Sequence, residues 1–296
     1  PASGSAVPAG PERQMRLLPI QTTANLLDIQ QSPDGRRLLA HDWINPPKLW
    51  DAERMLLLAE LEPPTGREGN TVSSARMSPD GKLIATASMG RVVVWDAASA
   101  RMIGVRAEEV SQATTIIWSR DSRWLLSCTR DGRVGVSPAK EPAKVTWLGR
   151  HSMIVRQADI SKDGSLVVMS SRDGTATLWK VTGELIASLG RQEPLRESDP
   201  ELPKNDLKAV SFSSDDSQIL VSSTDGFARV YDAKSGREVF KHSHVIGYRG
   251  ILTNVQMGAR FCGPKGEWIL FAEDDGTMKL VDRKTFQPVR DRKSVV

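Results

Sequence analysis

A four-residue turn that returns at nearly constant intervals constrains this chain more than any other feature. Ser32-Pro33-Asp34-Gly35 recurs as Ser78-Pro79-Asp80-Gly81, then in looser forms as Ser119-Arg120-Asp121-Ser122, Ser161-Lys162-Asp163-Gly164, Ser213-Ser214-Asp215-Asp216 and Gly263-Pro264-Lys265-Gly266. The third residues stand at positions 34, 80, 121, 163, 215 and 265, so the spacings are 46, 41, 42, 52 and 50 residues. A period of this size marks a supersecondary unit that cannot bury its apolar face alone and must stack on its neighbours.

Each of the six copies has the same grammar: an alternating apolar and polar stretch, the turn, a second apolar run, another turn, and a short third strand. The third strands end in Leu49-Trp50-Asp51, Val94-Trp95-Asp96, Leu178-Trp179-Lys180, Val230-Tyr231-Asp232 and Leu280-Val281-Asp282. A fourth strand follows in most copies, as at Met55 to Leu61, Leu185 to Leu189 and Glu238 to Lys241. Period-two alternation bounded by Gly, Asp, Pro and Ser predicts hairpins, and four strands in series make one small antiparallel sheet. The second turn is Asp131-Gly132, Asp173-Gly174, Asp225-Gly226 or Asp275-Gly276, a pair that tolerates the positive φ of a tight hairpin.

Ser78-Pro79-Asp80-Gly81-Lys82-Leu83-Ile84-Ala85-Thr86 and Ser171-Arg172-Asp173-Gly174-Thr175-Ala176-Thr177-Leu178-Trp179 resemble WD40 repeats, and the resemblance runs from Leu26 to Val289. The resemblance implies an all-β propeller of four-stranded antiparallel blades around a central channel, with six recognisable repeats. A seven-bladed ring with a degenerate blade split between the termini is the alternative, and a strand at Gln14 to Pro19 is a candidate to join the last blade. The turns Trp95-Asp96-Ala97-Ala98-Ser99 and Asp232-Ala233-Lys234-Ser235-Gly236-Arg237 look like bacterial WD40 repeats.

The ends read differently from the body. Residues 1–11 are almost entirely Pro, Ala, Gly and Ser and read as a flexible tether, leaving residues 12–296 as a single propeller domain. This leader resembles the linker after the lipidated cysteine of a bacterial lipoprotein, although that cysteine is not in the sequence. The expected compartment is therefore either the cytoplasm or, with a lipid anchor upstream of residue 1, the periplasmic envelope. No run of eighteen apolar residues occurs, so no transmembrane segment is expected. Forty basic and thirty-six acidic side chains are interspersed, not gathered into a block, and nucleic acid is not an expected partner.

Aligning the copies on their turns separates framework from variable positions. The residue before the first turn is Gln31, Met77, Trp118, Ile160, Phe212 or Cys262, a column that reads as core. Cys262 is expected to be a small buried hydrophobe, as is Cys128, and the third and sixth copies lie too far apart for a disulfide. The resemblance implies a buried hydrogen-bonded chain of His, Ser or Thr, Asp and Trp, complete only in the fourth copy as His151, Ser171, Asp173 and Trp179. The same three polar residues could be mistaken for a nucleophilic triad, but the repeat accounts for them and no Gly-x-Ser-x-Gly elbow is present. Immediately before the second turn stands a column without common character: Trp43, Met89, Arg130, Arg172, Thr224 and Asp274. One repeat position projects from one face of a ring, so this column is expected to line a rim. Arg130 and Arg172, on adjacent blades, would offer guanidiniums to a carboxylate or phosphate, and Trp43 an aromatic anchor.

Two long connections, Gln192 to Asp206 and His242 to Gly250, read as tolerated surface insertions. His242-Ser243-His244 lacks neighbouring ligands for zinc, and phosphate-binding glycine motifs are missing, so neither a metal nor a cofactor is expected. The expected function is a non-catalytic protein-binding module that recognises a protein or peptide through the rim. The alternatives are a propeller enzyme or ligand sensor using acids at the channel mouth, and a structural subunit or envelope lipoprotein binding a periplasmic or secreted protein.

Overall fold

The computed structural model describes residues 26–42, 44–62, 72–88, 90–107, 113–189, 207–223, 227–243, 259–272 and 277–289. These form six antiparallel sheets and no helix. The first blade is β1 (Leu26–Gln31), β2 (Arg37–Asp42), β3 (Lys48–Asp51) and β4 (Leu56–Glu60), paired in chain order. The second is β5 (Val72–Met77), β6 (Leu83–Ser88), β7 (Arg91–Asp96) and β8 (Met102–Ala107), and the third is β9 (Ala113–Trp118), β10 (Trp124–Thr129), β11 (Arg133–Pro138) and β12 (Thr146–Arg150). The fourth comprises β13 (Val155–Ile160), β14 (Leu166–Ser171), β15 (Ala176–Lys180) and β16 (Leu185–Leu189), and the fifth β17 (Leu207–Phe212), β18 (Gln218–Ser223), β19 (Phe227–Asp232) and β20 (Glu238–Ser243). The sixth has three strands, β21 (Ala259–Cys262), β22 (Trp268–Ala272) and β23 (Met278–Asp282). Beside β23 the chain folds back, pairing Val281 with Pro288 and donating the Val289 N–H to the Leu280 carbonyl at 2.9 Å. The place of a fourth strand in this blade is therefore taken from the C-terminal side. Gln14 to Pro19 and the 1–11 tether lie outside the described residues.

The recurring turn closes the inner hairpin of the first five blades by one mechanism. In five copies the Ser hydroxyl donates to the Asp two residues on: Ser32 to Asp34 at 2.6 Å, Ser78 to Asp80 at 2.7 Å, Ser119 to Asp121 and Ser161 to Asp163 at 2.6 Å, and Ser213 to Asp215 at 2.8 Å. The same hydroxyl accepts the backbone N–H that opens the second strand, for example from Leu166 at 2.9 Å. The fourth turn residue takes positive φ in every copy: Gly35, Gly81, Gly164 and Gly266 at 67–74°, but also Ser122 at 61° and Asp216 at 58°. The left-handed conformation is thus retained where glycine is not, which polar short side chains tolerate best.

Packing explains why the second strands lack polar alternation. Each apolar cluster lies between two blades: Leu39 and Leu49 meet Ile84 and Trp95, Leu126 and Val136 meet Ile160 and Val167, and Val168 and Leu178 meet Val210 and Phe212. A second strand is covered on both faces, and β6 is buried at all six positions. Met77, Trp118, Ile160 and Phe212 are buried as the column predicts, whereas Gln31 is exposed and Cys262 only partly buried. Those two belong to the first and sixth blades, so their inner strands are less enclosed than the rest. Cys128 is fully buried, and both cysteines are free thiols.

Polar contacts add ties between blades that no local pattern encodes. Arg283, after β23, donates from both terminal nitrogens to Asp215 at 2.6 and 2.7 Å and holds its carboxyl far below the ordinary range. Arg120, at the third turn, reaches the carbonyls of Phe212 at 3.1 Å and Ser213 at 3.3 Å in the fifth blade, with Asp159 of the fourth 3.7 Å away.

Replacing Ser161 with Ala leaves the Leu166 N–H without its partner and should cost about 1–2 kcal/mol in urea unfolding at neutral pH. The Ser32 and Ser161 hydroxyls hold the Asp34 and Asp163 carboxyls below their ordinary values. Their contribution is therefore complete above the unfolded-state pKa of about 4 and is lost as pH falls through the lower folded values. A stability titration should show that loss below about pH 4, smaller in Ser161→Ala than in the parent.

Candidate functional site

The rim is built from the turns between second and third strands together with the connections from one blade to the next, which antiparallel topology places at the same end. In the third blade the turn Thr129-Arg130-Asp131-Gly132 is drawn inward by its third residue. The Thr129 hydroxyl donates to Asp131 at 2.6 Å, Arg133 lies 3.2 Å and Arg150 3.8 Å from the same carboxylate. Burial opposes ionisation of Asp131, and Thr129 with the two guanidiniums outweighs it, so the carboxyl titrates below its usual range. In the fourth blade the turn Ser171-Arg172-Asp173-Gly174 holds its aspartate differently, Asp173 accepting from the Thr175 hydroxyl at 2.6 Å and its N–H at 3.0 Å.

The connection from β12 to β13 is clasped between these two turns. The His151 N–H donates to Gly132 O at 3.0 Å, while the Ser152 N–H donates to Asp173 at 2.9 Å and the Arg172 N–H to Ile154 O at 3.0 Å. Gly132 sits at φ +87°, and a Cβ there would strike the carbonyl oxygens of His151 and Met153, so only glycine lets the connection lie this close. The His151 ring is buried, with Nδ1 3.0 Å from the Thr175 hydroxyl and 3.4 Å from Asp173, and Nε2 3.0 Å from the Thr177 hydroxyl. Since the Thr175 hydroxyl donates to Asp173, it accepts from His151. The pattern assigns a neutral imidazole with its proton on Nδ1 and Thr177 donating to Nε2. Burial lowers the His151 pKa more than Asp173 raises it.

His151 and Asp173 are thus brought together, Ser171 joins them by accepting the Asp173 N–H at 3.1 Å and not through the Asp173 carboxylate, and Trp179 is not in one chain with them. The Ser171 hydroxyl contacts the carbonyls of Met153 and Ile154, both at 3.2 Å, which is not the geometry of a nucleophile beside a base. The Trp179 indole N–H is buried without a partner among the described residues. The second blade shows why. There Trp95 pairs across from Ile84 and donates diagonally to Thr86 at 3.0 Å. In the fourth blade Trp179 pairs across from Val167, so the same diagonal position is Met169, which offers no comparable acceptor. The Ser171 expected to meet the indole is two residues too far along β14.

Of the rim column, Arg130 and Arg172 are exposed, and neither guanidinium has a hydrogen-bond or ion-pair partner among the described residues. Trp43, Met89, Thr224 and Asp274 lie outside the described residues. The sequence reading missed Arg156. It occupies a β-bulge in β13, between Val155, which pairs with Ser171, and Gln157, so it stands exposed at the Arg172 end of the blade. A bulge re-aims a side chain, and the same register shift recurs at this position of the inner strand in the first five blades. Among the described residues, no three His, Cys, Asp or Glu side chains gather as metal ligands, and no helix is long and apolar enough to cross a membrane.

Comparison with known proteins places these observations among relatives. The family model described as "WD domain, G-beta repeat" matches residues 61–96, 107–136, 143–180 and 201–232. Apoptotic protease-activating factor 1 of Danio rerio is 26% identical over 71% of this chain and 16% of its own length. WD repeat-containing protein 1 of Xenopus tropicalis is 24% identical over 70% of the chain and 33% of its own length. COMPASS component SWD3 of Saccharomyces cerevisiae is 24% identical over 58% of the chain and 52% of its own length. The chain therefore spans between about a sixth and about half of these curated relatives. All three are eukaryotic, and they lend no support to a bacterial or lipoprotein assignment.

Replacing Asp173 with Ala strips the acceptor from the Ser152 and Thr175 N–H groups and should cost about 2 kcal/mol in chemical unfolding. Because the folded His151 pKa is lowered, the unfolded chain binds its proton first, and the stability it contributes falls as pH drops below about 6.5. His151→Gln should flatten the stability profile between pH 7 and pH 5, and an unchanged slope would contradict the neutral assignment.

Proposed function

We propose, from the premise that this chain belongs to the WD40-repeat family, that it is a non-catalytic protein-binding module whose rim at the third and fourth blades engages an acidic segment of a partner. WD40-repeat relatives generally act as protein-interaction scaffolds, and one relative carries a multiprotein assembly in its printed name, a COMPASS component. The observation that carries the reading is the pair of Arg130 and Arg172. Both stand at the same position of matching turns on adjacent blades, exposed and without partners among the described residues, while the aspartates beside them are taken up internally. The planar guanidinium meets a carboxylate or phosphate through two parallel hydrogen bonds, which suits it to recognition of an acidic segment. Arg156 adds positive charge at the same end of the fourth blade.

The test is affinity capture at native expression of the wild type beside Arg130→Glu/Arg172→Glu, with bound proteins identified by mass spectrometry. Exposed substitutions of this kind should leave stability within about 0.5 kcal/mol of the parent. The reading expects a stoichiometric partner recovered with the wild type and lost from the double variant. Equal recovery with both would remove this rim as the binding surface.

A further inference from the structure

We propose that a cavity along the inner strands of the fourth, fifth and sixth blades, reached also by Arg120 of the third turn, binds a small organic anion with an apolar body. The cavity has a volume of about 820 Å³ and is lined by inner-strand residues of the fourth, fifth and sixth blades, by Leu270 and Ala272 of β22, and by the turn residues Arg120, Ser214, Gly263, Pro264 and Gly266. Those turns belong to the end away from Arg130 and Arg172, while Gln157, Ala259 and Ala272 lie toward the other end; neither Arg130 nor Arg172 is among the described lining residues, so the test of this site does not depend on them.

The chemistry of the lining selects the ligand. Arg120 and Arg260 both contribute, and no carboxylate does among the described residues. Arg120 is fixed in the wall by its contacts to Phe212 and Ser213 carbonyls and is offset by Asp159 behind it. Arg260 is exposed and has no ion-pair partner among the described residues, so the cavity retains one uncompensated positive charge. Gln157 and Ser211 present side-chain polar groups that no described neighbour takes up. Between these groups the wall is apolar, formed by Ala209, Leu270 and Ala272, while Val210 and Phe261 turn their side chains into the neighbouring cores. A concave apolar wall with a few convergent polar groups is the usual make-up of a small-molecule site, and the unmatched guanidinium adds a preference for an acidic head. A fully polar ion would leave the wall unused, and a neutral apolar molecule would leave Arg260 unused.

Cys262 also lines the cavity and gives an independent readout, because the other cysteine, Cys128, is fully buried. The probes are 1-anilinonaphthalene-8-sulfonate and its uncharged counterpart N-phenyl-1-naphthylamine, followed by fluorescence and by the rate of Cys262 alkylation with iodoacetamide, on protein whose near-ultraviolet dichroism confirms native packing. The wild type should bind the sulfonate saturably, one per chain, with slowed alkylation of Cys262. Arg260→Glu should weaken the sulfonate by about tenfold or more, the loss of one charged contact, and leave the uncharged probe unchanged. Ser211→Trp, which narrows the cavity, should weaken both, and if that variant does not fold, Arg260→Glu and the alkylation rate decide. Equal sulfonate affinity in Arg260→Glu, or Cys262 alkylation unaffected at saturation, would overturn the proposal.

Discussion

The structure depends on one hydrogen bond made five times, from a serine hydroxyl to the aspartate two residues later. That bond, with the strand N–H the serine accepts, fixes where the inner strand ends and the second begins. Side chains in a strand alternate between faces, so a one-residue slip at this turn would send every apolar residue of the second strand to the wrong neighbour. Because each core is shared by two blades, the error would spread across the interface. The sixth copy lacks both residues, having Gly263 and Lys265 in their place, and uses the Glu267 carboxylate to accept the Lys265 N–H at 2.8 Å instead. The sixth blade is also the one with three regular strands, a partly exposed cysteine and a cavity at its inner edge.

At the other end of the blades the same economy of short polar side chains produces a surface. Asp131 and Asp173 turn inward to hold their own turns and, for Asp173, the connection arriving from the previous blade. The residue before each aspartate has nowhere to go but outward. An arginine in that position is exposed by the mechanism that makes the turn rigid, which links stability of the blade junction to presentation of charge. His151 belongs to the junction, since its neutral ring is satisfied by two threonines and spans the third and fourth blades.

Much of this was legible in the sequence because the determinants are local and repeated. The turns, the strand order and the burial of Met77, Trp118, Ile160 and Phe212 follow from a pattern that six copies reinforce. What could not be read is what depends on the third dimension. Whether Ser171 or Met169 faces the Trp179 indole turns on a diagonal contact across two strands, and only the pairing of Val167 with Trp179 decides it. Arg120 and Arg283 gave no signal, since their partners lie about ninety and seventy residues away in sequence and the repeat has no column for them. Arg156 stands at a bulge that recurs at the same position in the first five blades, a feature of strand pairing that hydrophobic alternation alone does not reveal.

The central claim is that the third and fourth blades present the binding surface, and the direct measurement is a hydrogen-exchange footprint of the protein alone and with its captured partner. The account predicts slowed exchange in 129–133, 151–156 and 171–175, with the inner turns at Ser32, Ser78 and Ser213 unchanged. Protection confined to those inner turns or to the outer strands, with the rim segments exchanging as in the free protein, would contradict it.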